Sequence, residues 1–300
     1  MKVCLAESAG FCYGVRRAVE LARETAVETR RCWMLGDLIH NANVVEELKS
    51  IGIQKVESAD ALQRGDTVII RSHGELKQVL DRLEARGVRC VDATCPNVRR
   101  IQALAAQAGE EGRTPVIIGD AAHPEVAGIA SWCGHPLIFS GPEAVEAWLK
   151  EDPKARETPV TVVAQTTCIR ELFETSWKII KKECTNAKKF DTICTATHKR
   201  QSEAAILAAK ADVMVVVGDR KSANTKHLTE ICKESCSCVL QIENADELPP
   251  DFFSGCSVAG LTAGASTPAG IIKEVYAAMS EEIRAVESNE ESFEELLNQS

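Results

Sequence analysis

The sequence predicts an α/β fold made of three similar α/β domains in a pseudo-threefold trefoil. Strand-like apolar runs alternate with segments of helical periodicity along the chain, which is typical of parallel sheets. One pattern also occurs three times: a cysteine opens a helix, and the glycine of a Gly-Asp pair follows that cysteine by 24 residues, at Gly36, Gly119 and Gly218. A repeat of this kind indicates structural units that bury their faces against one another.

Each repeat is predicted to contain the same elements in the same order. A helix after the cysteine leads to a strand that ends in Gly-Asp, and a polar side chain stands four residues beyond the glycine, at His40, His123 and Ser222. A second helix then leads to a second strand that ends in polar residues, at 69–74, 162–167 and 263–266.

A further helix is predicted after each second strand, at about 75–86, 169–183 and 268–285. The first two lead into strands at 90–92 and 190–193 that deliver the next cysteine, and the N-terminal strand at 3–6 takes that place in the third repeat. The repeat therefore closes into a ring. The predicted domains are 14–96, 97–193, and 194–285 completed by 1–13, followed by an acidic tail at 286–300.

Composition narrows the class of protein. The 300 residues include 45% hydrophobic residues, which is enough for a real core. No apolar run is long enough to span a membrane and no signal region opens the chain, so we expect a cytoplasmic protein with no membrane partner. The net charge of −9 does not favour nucleic acid as a partner. In a reducing compartment, the thirteen cysteines point to metal ligation, catalysis or burial rather than to disulfides.

The three repeat cysteines are candidate metal ligands. Parallel sheets place functional loops at the carboxyl ends of their strands, so we expect Cys12, Cys95 and Cys194 to converge. The alternative is three subdomains in a line with each cysteine simply buried. Three thiolates suit zinc or an iron–sulfur cluster, and the lack of a close Cys-x-x-Cys pair favours the cluster. Three ligands on a four-iron cubane leave one iron open to a substrate oxygen.

Polar residues on the same loops suit an anionic ester. Histidine, hydroxyl and amide side chains at loop ends can donate hydrogen bonds to phosphate oxygens; they are His40, His73, His123, Thr166, Ser222, Asn224 and Ser266. Glu125 is the carboxylate we assign to proton delivery, the alternative being a solvated glutamate at a helix start. Other cysteines and histidines are interpreted as packing or surface residues: Cys232, Cys236, Cys238, His135, His198 and His227.

Short motifs at these positions resemble those of the 4-hydroxy-3-methylbut-2-enyl diphosphate reductase (IspH/LytB) family. The resemblance runs from residue 1 to about 285. Its motifs are Gly-Phe-Cys12-Tyr-Gly-Val, His40-Asn41, Ser72-His73-Gly74, Asp92-Ala-Thr-Cys95-Pro, His123-Pro-Glu125-Val, Gln165-Thr166-Thr167, Ile193-Cys194-Thr-Ala-Thr, Ser222-Ala-Asn224 and Thr262-Ala-Gly-Ala-Ser266.

This resemblance implies one 4Fe–4S cluster per chain, held by Cys12, Cys95 and Cys194 with one open iron at the centre of the trefoil. It also implies a reaction in which two electrons and two protons remove the allylic hydroxyl as water, giving isopentenyl and dimethylallyl diphosphate in the last step of the non-mevalonate pathway. The expected electron donor is a ferredoxin or flavodoxin.

Residue roles follow from the resemblance position by position. His40, His73, Ser222, Asn224 and Ser266 would hold the diphosphate, and His123, Thr166 and Glu125 would surround the leaving hydroxyl. One departure is Ala223, where the family often has a second serine; the loss of one hydrogen bond is worth about 0.5–1.5 kcal/mol.

Two other function classes remain open from the residues alone. One is a different three-cysteine cluster enzyme, such as quinolinate synthase, that uses the open iron as a Lewis acid without net reduction. The other is a non-enzymatic iron–sulfur sensor. The acidic tail resembles a linker that leads to RNA-binding S1 repeats in some bacterial members, the alternative being an ordinary frayed terminus.

Overall fold

The computed structural model describes residues 2–29, 31–249 and 252–280. Its regular elements are β1 (Lys2–Leu5), α1 (Tyr13–Glu28), β2 (Cys32–Leu35), α2 (Ala42–Ser50), β3 (Ile53–Val56), β4 (Thr67–Ile70), α3 (Lys77–Ala85), β5 (Arg89–Asp92), α4 (Pro96–Glu110), β6 (Thr114–Ile118), α5 (Pro124–Ala130), β7 (Leu137–Phe139), α6 (Pro142–Glu151), β8 (Val160–Ala164), α7 (Arg170–Glu183), β9 (Ala187–Lys189), α8 (Thr195–Ala208), β10 (Val213–Val217), α9 (Ala223–Ser235), β11 (Val239–Ile242) and β12 (Val258–Ala263). Residues 269–280 are also helical.

Three parallel sheets have the same internal strand order. The orders are β3-β2-β4-β5, β7-β6-β8-β9 and β11-β10-β12-β1, and every pairing in them is parallel. In each sheet the strand that ends in Gly-Asp and the second strand of the repeat lie in the middle. The N-terminal strand β1 pairs with β12, at the position that the repeat assigns to it. The predicted fold class, an α/β protein with three parallel-sheet units, is therefore confirmed.

The chain forms two compact units. One contains the described residues of 13–197 with the first two sheets, and the other contains those of 2–12 and 198–280 with the third sheet. This division into two units does not test the three domain limits predicted from the sequence, so those limits stay predictions.

Central strands are buried on both faces, as parallel sheets covered by helices require. All five residues of β10 (Val-Met-Val-Val-Val) are buried, and so are all five of β8. The helices contribute the apolar faces that helical spacing predicts; in α4 that face includes Val98, Ile101, Ala105 and Ala108.

The repeat glycines are also equivalent, since the N–H groups of Gly36, Gly119 and Gly218 each donate to the carbonyl that ends the neighbouring outer strand, at 2.8–2.9 Å.

One predicted strand is misplaced. The strand expected at 190–193 ends earlier, as β9 at Ala187–Lys189. Beyond it the Thr192 hydroxyl replaces the sheet pairing, because it donates to the Ala164 carbonyl at 2.7 Å and accepts from the Ala164 N–H at 2.8 Å. Because a side chain satisfies both backbone groups of Ala164 at the end of β8, those groups need no hydrogen bonds from a neighbouring strand.

The C-terminal predictions are covered only in part. The helix predicted for 268–285 is helical over 269–280, and the rest of it and the acidic tail at 286–300 lie outside the described residues. Within the described ranges, no helix has the length and apolar character needed to cross a membrane.

Candidate functional site

Each of the three repeat cysteines makes the same kind of backbone hydrogen bond. In the unit of residues 13–197, the Cys95 N–H donates to the Ser72 carbonyl at 2.9 Å and the Cys194 N–H donates to the Thr166 carbonyl at 3.0 Å. In the other unit, the Cys12 N–H donates to the Ala265 carbonyl at 3.1 Å. Each bond joins a cysteine loop to the loop after the second strand of a repeat. The repeat therefore fixes these three residues in the same local way.

Three imidazoles lie together in the unit of residues 13–197. The ring centroids of His40 and His73 are 4.4 Å apart, and those of His123 lie 5.7 Å from His40 and 5.5 Å from His73. Burial lowers the pKa of His73 well below its ordinary value, and the neighbouring His40, His123 and Arg71 lower this pKa further. His73 is therefore neutral near pH 7 without an anion beside it.

Gly74 allows the loop of His73 to approach α4 closely. Its φ of +80° is a left-handed conformation, and a Cβ there would lie 2.8 Å from the Gln102 Nε2 atom. A larger residue would strain the backbone and push against that amide. The small residue thus fixes where the histidine loop runs.

His123 begins α5 and has a defined tautomer. Its Nδ1 atom accepts a hydrogen bond from the Glu125 N–H at 3.1 Å, in the position of a helix N-cap. An acceptor nitrogen carries no proton, so the proton of the neutral ring resides on Nε2. A neutral His123 ring therefore carries its one donor on Nε2.

Glu125 is a buried carboxyl group with two contacts to one residue. Only 2% of it is exposed, so the solvated-glutamate alternative is wrong. Its Oε1 accepts from the Thr166 N–H at 2.6 Å, and its Oε2 lies 2.7 Å from the Thr166 hydroxyl oxygen. Burial raises the pKa of Glu125 above its usual value, although the two hydrogen bonds with Thr166 lower it. This is the environment of a carboxylic acid that can keep a proton to donate.

The sequence did not predict the contact that Asn97 makes with a repeat cysteine. Its side-chain Nδ2 donates to the Cys194 sulfur at 3.3 Å, although 97 residues separate the two in the chain. The Asn97 position, two residues after Cys95 in the first turn of α4, is the only sequence feature that hints at such a role.

The other unit contributes three buried polar residues to the candidate site. Ser222 caps α9, its hydroxyl oxygen accepting from the Thr225 N–H at 3.4 Å. Asn224 is 4% exposed, and neither its Oδ1 nor its Nδ2 has a hydrogen-bond partner among the described residues. Ser266 is also buried, on the loop whose Ala265 carbonyl receives the Cys12 N–H. Behind Asn224 the chain is tightly packed, because a Cβ at Gly264 would lie 2.3 Å from the Thr225 hydroxyl.

The surroundings of Cys194 suit a thiolate that ligates an iron–sulfur cluster. Across residues 2–29, 31–249 and 252–280, no group of three or more His, Cys, Asp or Glu side chains is arranged to hold one metal ion. The described structure also places an amide donor on the Cys194 sulfur, which is typical of a cluster-ligating thiolate.

The remaining cysteines singled out in the sequence are packing residues. Cys232 is fully buried in the core between α8, α9 and β10, and Cys236 is 4% exposed there. The Cys236 thiol lies near backbone carbonyls, 3.3 Å from that of Cys238. Cys238 is half-buried against the core on the other face of the sheet. His135 and His198 are exposed, as expected for surface residues.

The family profile described as LytB protein matches residues 3–280. The chain belongs to this family. A relative from Caldanaerobacter subterraneus subsp. tengcongensis, named 4-hydroxy-3-methylbut-2-enyl diphosphate reductase, is 38% identical over 298 residues, which covers 97% of this chain and 100% of that protein. A Clostridium acetobutylicum relative of the same name is 40% identical over 97% of this chain, but this chain spans only 45% of that protein's length. The resemblance seen in the motifs is confirmed.

Solved structures agree with this membership in the LytB family. One, described as (E)-4-hydroxy-3-methyl-but-2-enyl diphosphate reductase, the terminal enzyme of the non-mevalonate pathway, is 37% identical with a TM-score of 0.66, covering 93% of this chain and 99% of that one. A Plasmodium falciparum protein of 23% identity has a TM-score of 0.85 over 92% of this chain and 86% of its own, and it supports the fold. The oxidoreductase class expected from the resemblance is thereby confirmed.

Proposed function

We propose that this chain reduces 4-hydroxy-3-methylbut-2-enyl diphosphate to isopentenyl and dimethylallyl diphosphate. The observation that carries the proposal is the buried Glu125 carboxyl, bound through both oxygens to Thr166, in a chain of the LytB family. Removal of an allylic hydroxyl needs a proton on the leaving oxygen, because hydroxide leaves poorly. A carboxyl group whose pKa is raised by burial is suited to supply it.

The proton route would run from Glu125 through the Thr166 hydroxyl. A protonated Glu125 donates to the Thr166 oxygen at 2.7 Å, which frees the Thr166 hydroxyl hydrogen for the substrate. The Nε2–H of His123 would be a second donor, because its Nδ1 accepts from the Glu125 N–H and the ring proton is then on Nε2. In this proposal the two side chains hold the leaving hydroxyl and one of them protonates it.

A 4Fe–4S cluster, with Cys12, Cys95 and Cys194 as its ligands, is the cofactor we propose, and iron–sulfur dependence is general in this family. When bound, the cluster would pass the two electrons of the external reductant to the substrate one at a time and would offer one iron without a protein ligand. The equivalent backbone bonds of the three cysteines support the choice of these three among the thirteen. The pseudo-threefold arrangement around the cluster belongs to the same proposal.

The diphosphate would be held by His40, His73, Ser222, Asn224 and Ser266. Neutral imidazoles, hydroxyls and an amide donate hydrogen bonds to phosphate oxygens. The buried Asn224 amide supports this assignment, since an unpartnered buried polar group costs about 1–3 kcal/mol and a ligand would repay that cost.

The physiological reductant would be a ferredoxin or flavodoxin, and the compartment would be the cytoplasm.

Anaerobic turnover tests the function. Protein with a reconstituted cluster is mixed with dithionite, a viologen dye and the hydroxylated diphosphate, and both products are measured. We expect dye oxidation that depends on substrate, two electrons per product, and both isomers. Substrate binding without net reduction would instead support a Lewis-acid enzyme, and an intact cluster that neither binds nor reduces the diphosphate would support a sensor.

A further inference from the structure

The side chain of Asn97 reaches the sulfur of a proposed cluster ligand. Its amide nitrogen lies 3.3 Å from the Cys194 sulfur and donates a hydrogen to it. Both residues belong to the unit of residues 13–197. The contact links the first turn of α4, which begins directly after Cys95, to the loop that carries Cys194.

Both ends of this contact are held by rigid elements. Cys95 is the N-cap residue of α4, Pro96 occupies the first turn, and the buried face of the helix fixes its rotation, with Asn97 on the exposed side. The Cys194 backbone is bonded to the Thr166 carbonyl at 3.0 Å. The amide and the sulfur therefore meet without any rearrangement of the helix or the loop.

An amide donor on a thiolate favours the more negative state of the group. Hydrogen bonds to cluster sulfurs are among the features that set the reduction potential of iron–sulfur proteins. Reduction adds negative charge that is shared with the ligand sulfurs, so the donor stabilises the reduced form more than the oxidised form. Loss of the donor would make the cluster harder to reduce.

We propose that Asn97 is a positioning residue that orients the Cys194 thiolate and raises the reduction potential of the cluster. This inference rests on the proposed function, because it needs the cluster to be present. It adds a residue for which none of the sequence patterns assigned a role. Electron uptake by the cluster would then depend on an exposed side chain in the first turn of α4.

Three variants separate this role from general stability. Asn97→Ala removes the donor, Asn97→Asp keeps the shape but replaces the donor with a negative charge, and Asn97→Gln keeps a donor on a longer side chain. Gln107→Ala is the matched control, since Gln107 is an exposed amide on the same helix whose side chain donates to Glu111 at 2.8 Å. Iron content and melting temperature are measured for each protein before the titration.

A redox titration followed by electron paramagnetic resonance tests the proposal. We expect Asn97→Ala to lower the midpoint potential by up to about 59 mV, a tenfold change in a one-electron equilibrium. Asn97→Asp should lower it further, Asn97→Gln should recover part of the loss, and Gln107→Ala should match the parent. Equal potentials in the parent and Asn97→Ala, with full iron content in both, would overturn the inference. A parent protein that binds no cluster would instead overturn the proposed function.

Discussion

The site residues around Glu125 and the site residue Asn224, which belong to different units, differ in how completely they are already bonded. In the unit of residues 13–197, Glu125 holds Thr166 through both oxygens, His123 accepts from the Glu125 backbone, and Asn97 donates to the Cys194 sulfur. In the other unit, the Asn224 amide is buried with neither of its polar atoms bonded within the described residues.

This difference separates two tasks. Groups that move protons need fixed mutual geometry before the substrate arrives, and bonded neighbours supply it. Groups that bind an anion gain most when their own bonds are left for the ligand, at some cost to the stability of the empty protein. Substitution of Glu125 should therefore change the rate, and substitution of Asn224 should change the affinity.

Loss of a repeat cysteine should have the largest effect. Serine at Cys12, Cys95 or Cys194 removes the thiolate that an iron needs, so each variant should lose most of its iron and visible absorbance. Cys90→Ser is the matched control, because Cys90 is exposed and lies five residues before Cys95. Iron analysis after anaerobic reconstitution measures the effect, and full iron content in Cys95→Ser would exclude Cys95 as a ligand.

Glu125→Gln should slow turnover by about 100-fold or more, since a positioned acid contributes about 10²–10⁴-fold. Glutamine can keep both contacts with Thr166, its oxygen accepting from the N–H and its amide donating to the hydroxyl, but it has no acidic proton. Cluster content and substrate affinity should stay near those of the parent, so kcat falls and KM does not rise. A single-turnover rate within threefold of the parent at every pH tested would remove Glu125 from the proton route.

Asn224→Ala should weaken substrate binding by about 10- to 100-fold, the size expected for hydrogen bonds to a charged ligand. Because the amide has no partner in the described structure, its removal should not lower the free energy of unfolding. Asn244→Ala is the opposite control: this amide accepts from the Asp246 N–H at 3.0 Å, so its loss should reduce stability and leave affinity unchanged. Titration calorimetry with isopentenyl diphosphate and chemical denaturation measure the two quantities. Unchanged affinity in Asn224→Ala would contradict the division of tasks.

The smallest expected effect is proton uptake by the histidine cluster. Burial keeps the pKa of His73 low, and a diphosphate bound beside it, as proposed above, would raise that pKa. A group whose pKa is higher in the complex takes up a proton on binding, so affinity should increase as the pH falls from 8 toward 6. Calorimetry at pH 7 in two buffers of different ionisation enthalpy should show a fraction of a proton taken up.

A change of histidine tests the source of that proton. His73→Asn should abolish most of the uptake, whereas His135→Asn should not, because His135 is exposed and lies outside the cluster. Equal binding enthalpies in the two buffers for the parent protein would show that His73 keeps its protonation state when the ligand binds.

Periodicity and spacing were sufficient to predict the three sheets, because a parallel strand buried on both faces has few alternatives in sequence. They failed at residues 190–193, where the Thr192 hydroxyl bonds to Ala164 in place of a backbone ladder. A threonine in a β-rich segment reads as a strand residue whether its hydroxyl points to solvent or to a neighbouring strand. Side-chain competition of this kind depends on tertiary contacts.

For the candidate site, spacing could name residues but not the tertiary contacts between them. The repeat predicted the loops, and so it named His40, His123 and the three cysteines as candidates. Spacing could not show that Glu125 is buried or that its raised pKa suits it to proton transfer, because both depend on Thr166, which is 41 residues away in sequence. The contact of Asn97 with Cys194 lay beyond sequence reasoning for the same reason, since no periodic pattern joins residues 97 positions apart.

Mössbauer spectroscopy of the reconstituted protein, with and without substrate, tests the central claim most directly. Three cysteine ligands on a four-iron cluster predict one iron that differs from the other three, and addition of the hydroxylated diphosphate should change the signal of that iron alone. Four irons with equal signals, or a substrate that leaves every signal unchanged, would contradict a cluster held by Cys12, Cys95 and Cys194 with one open position.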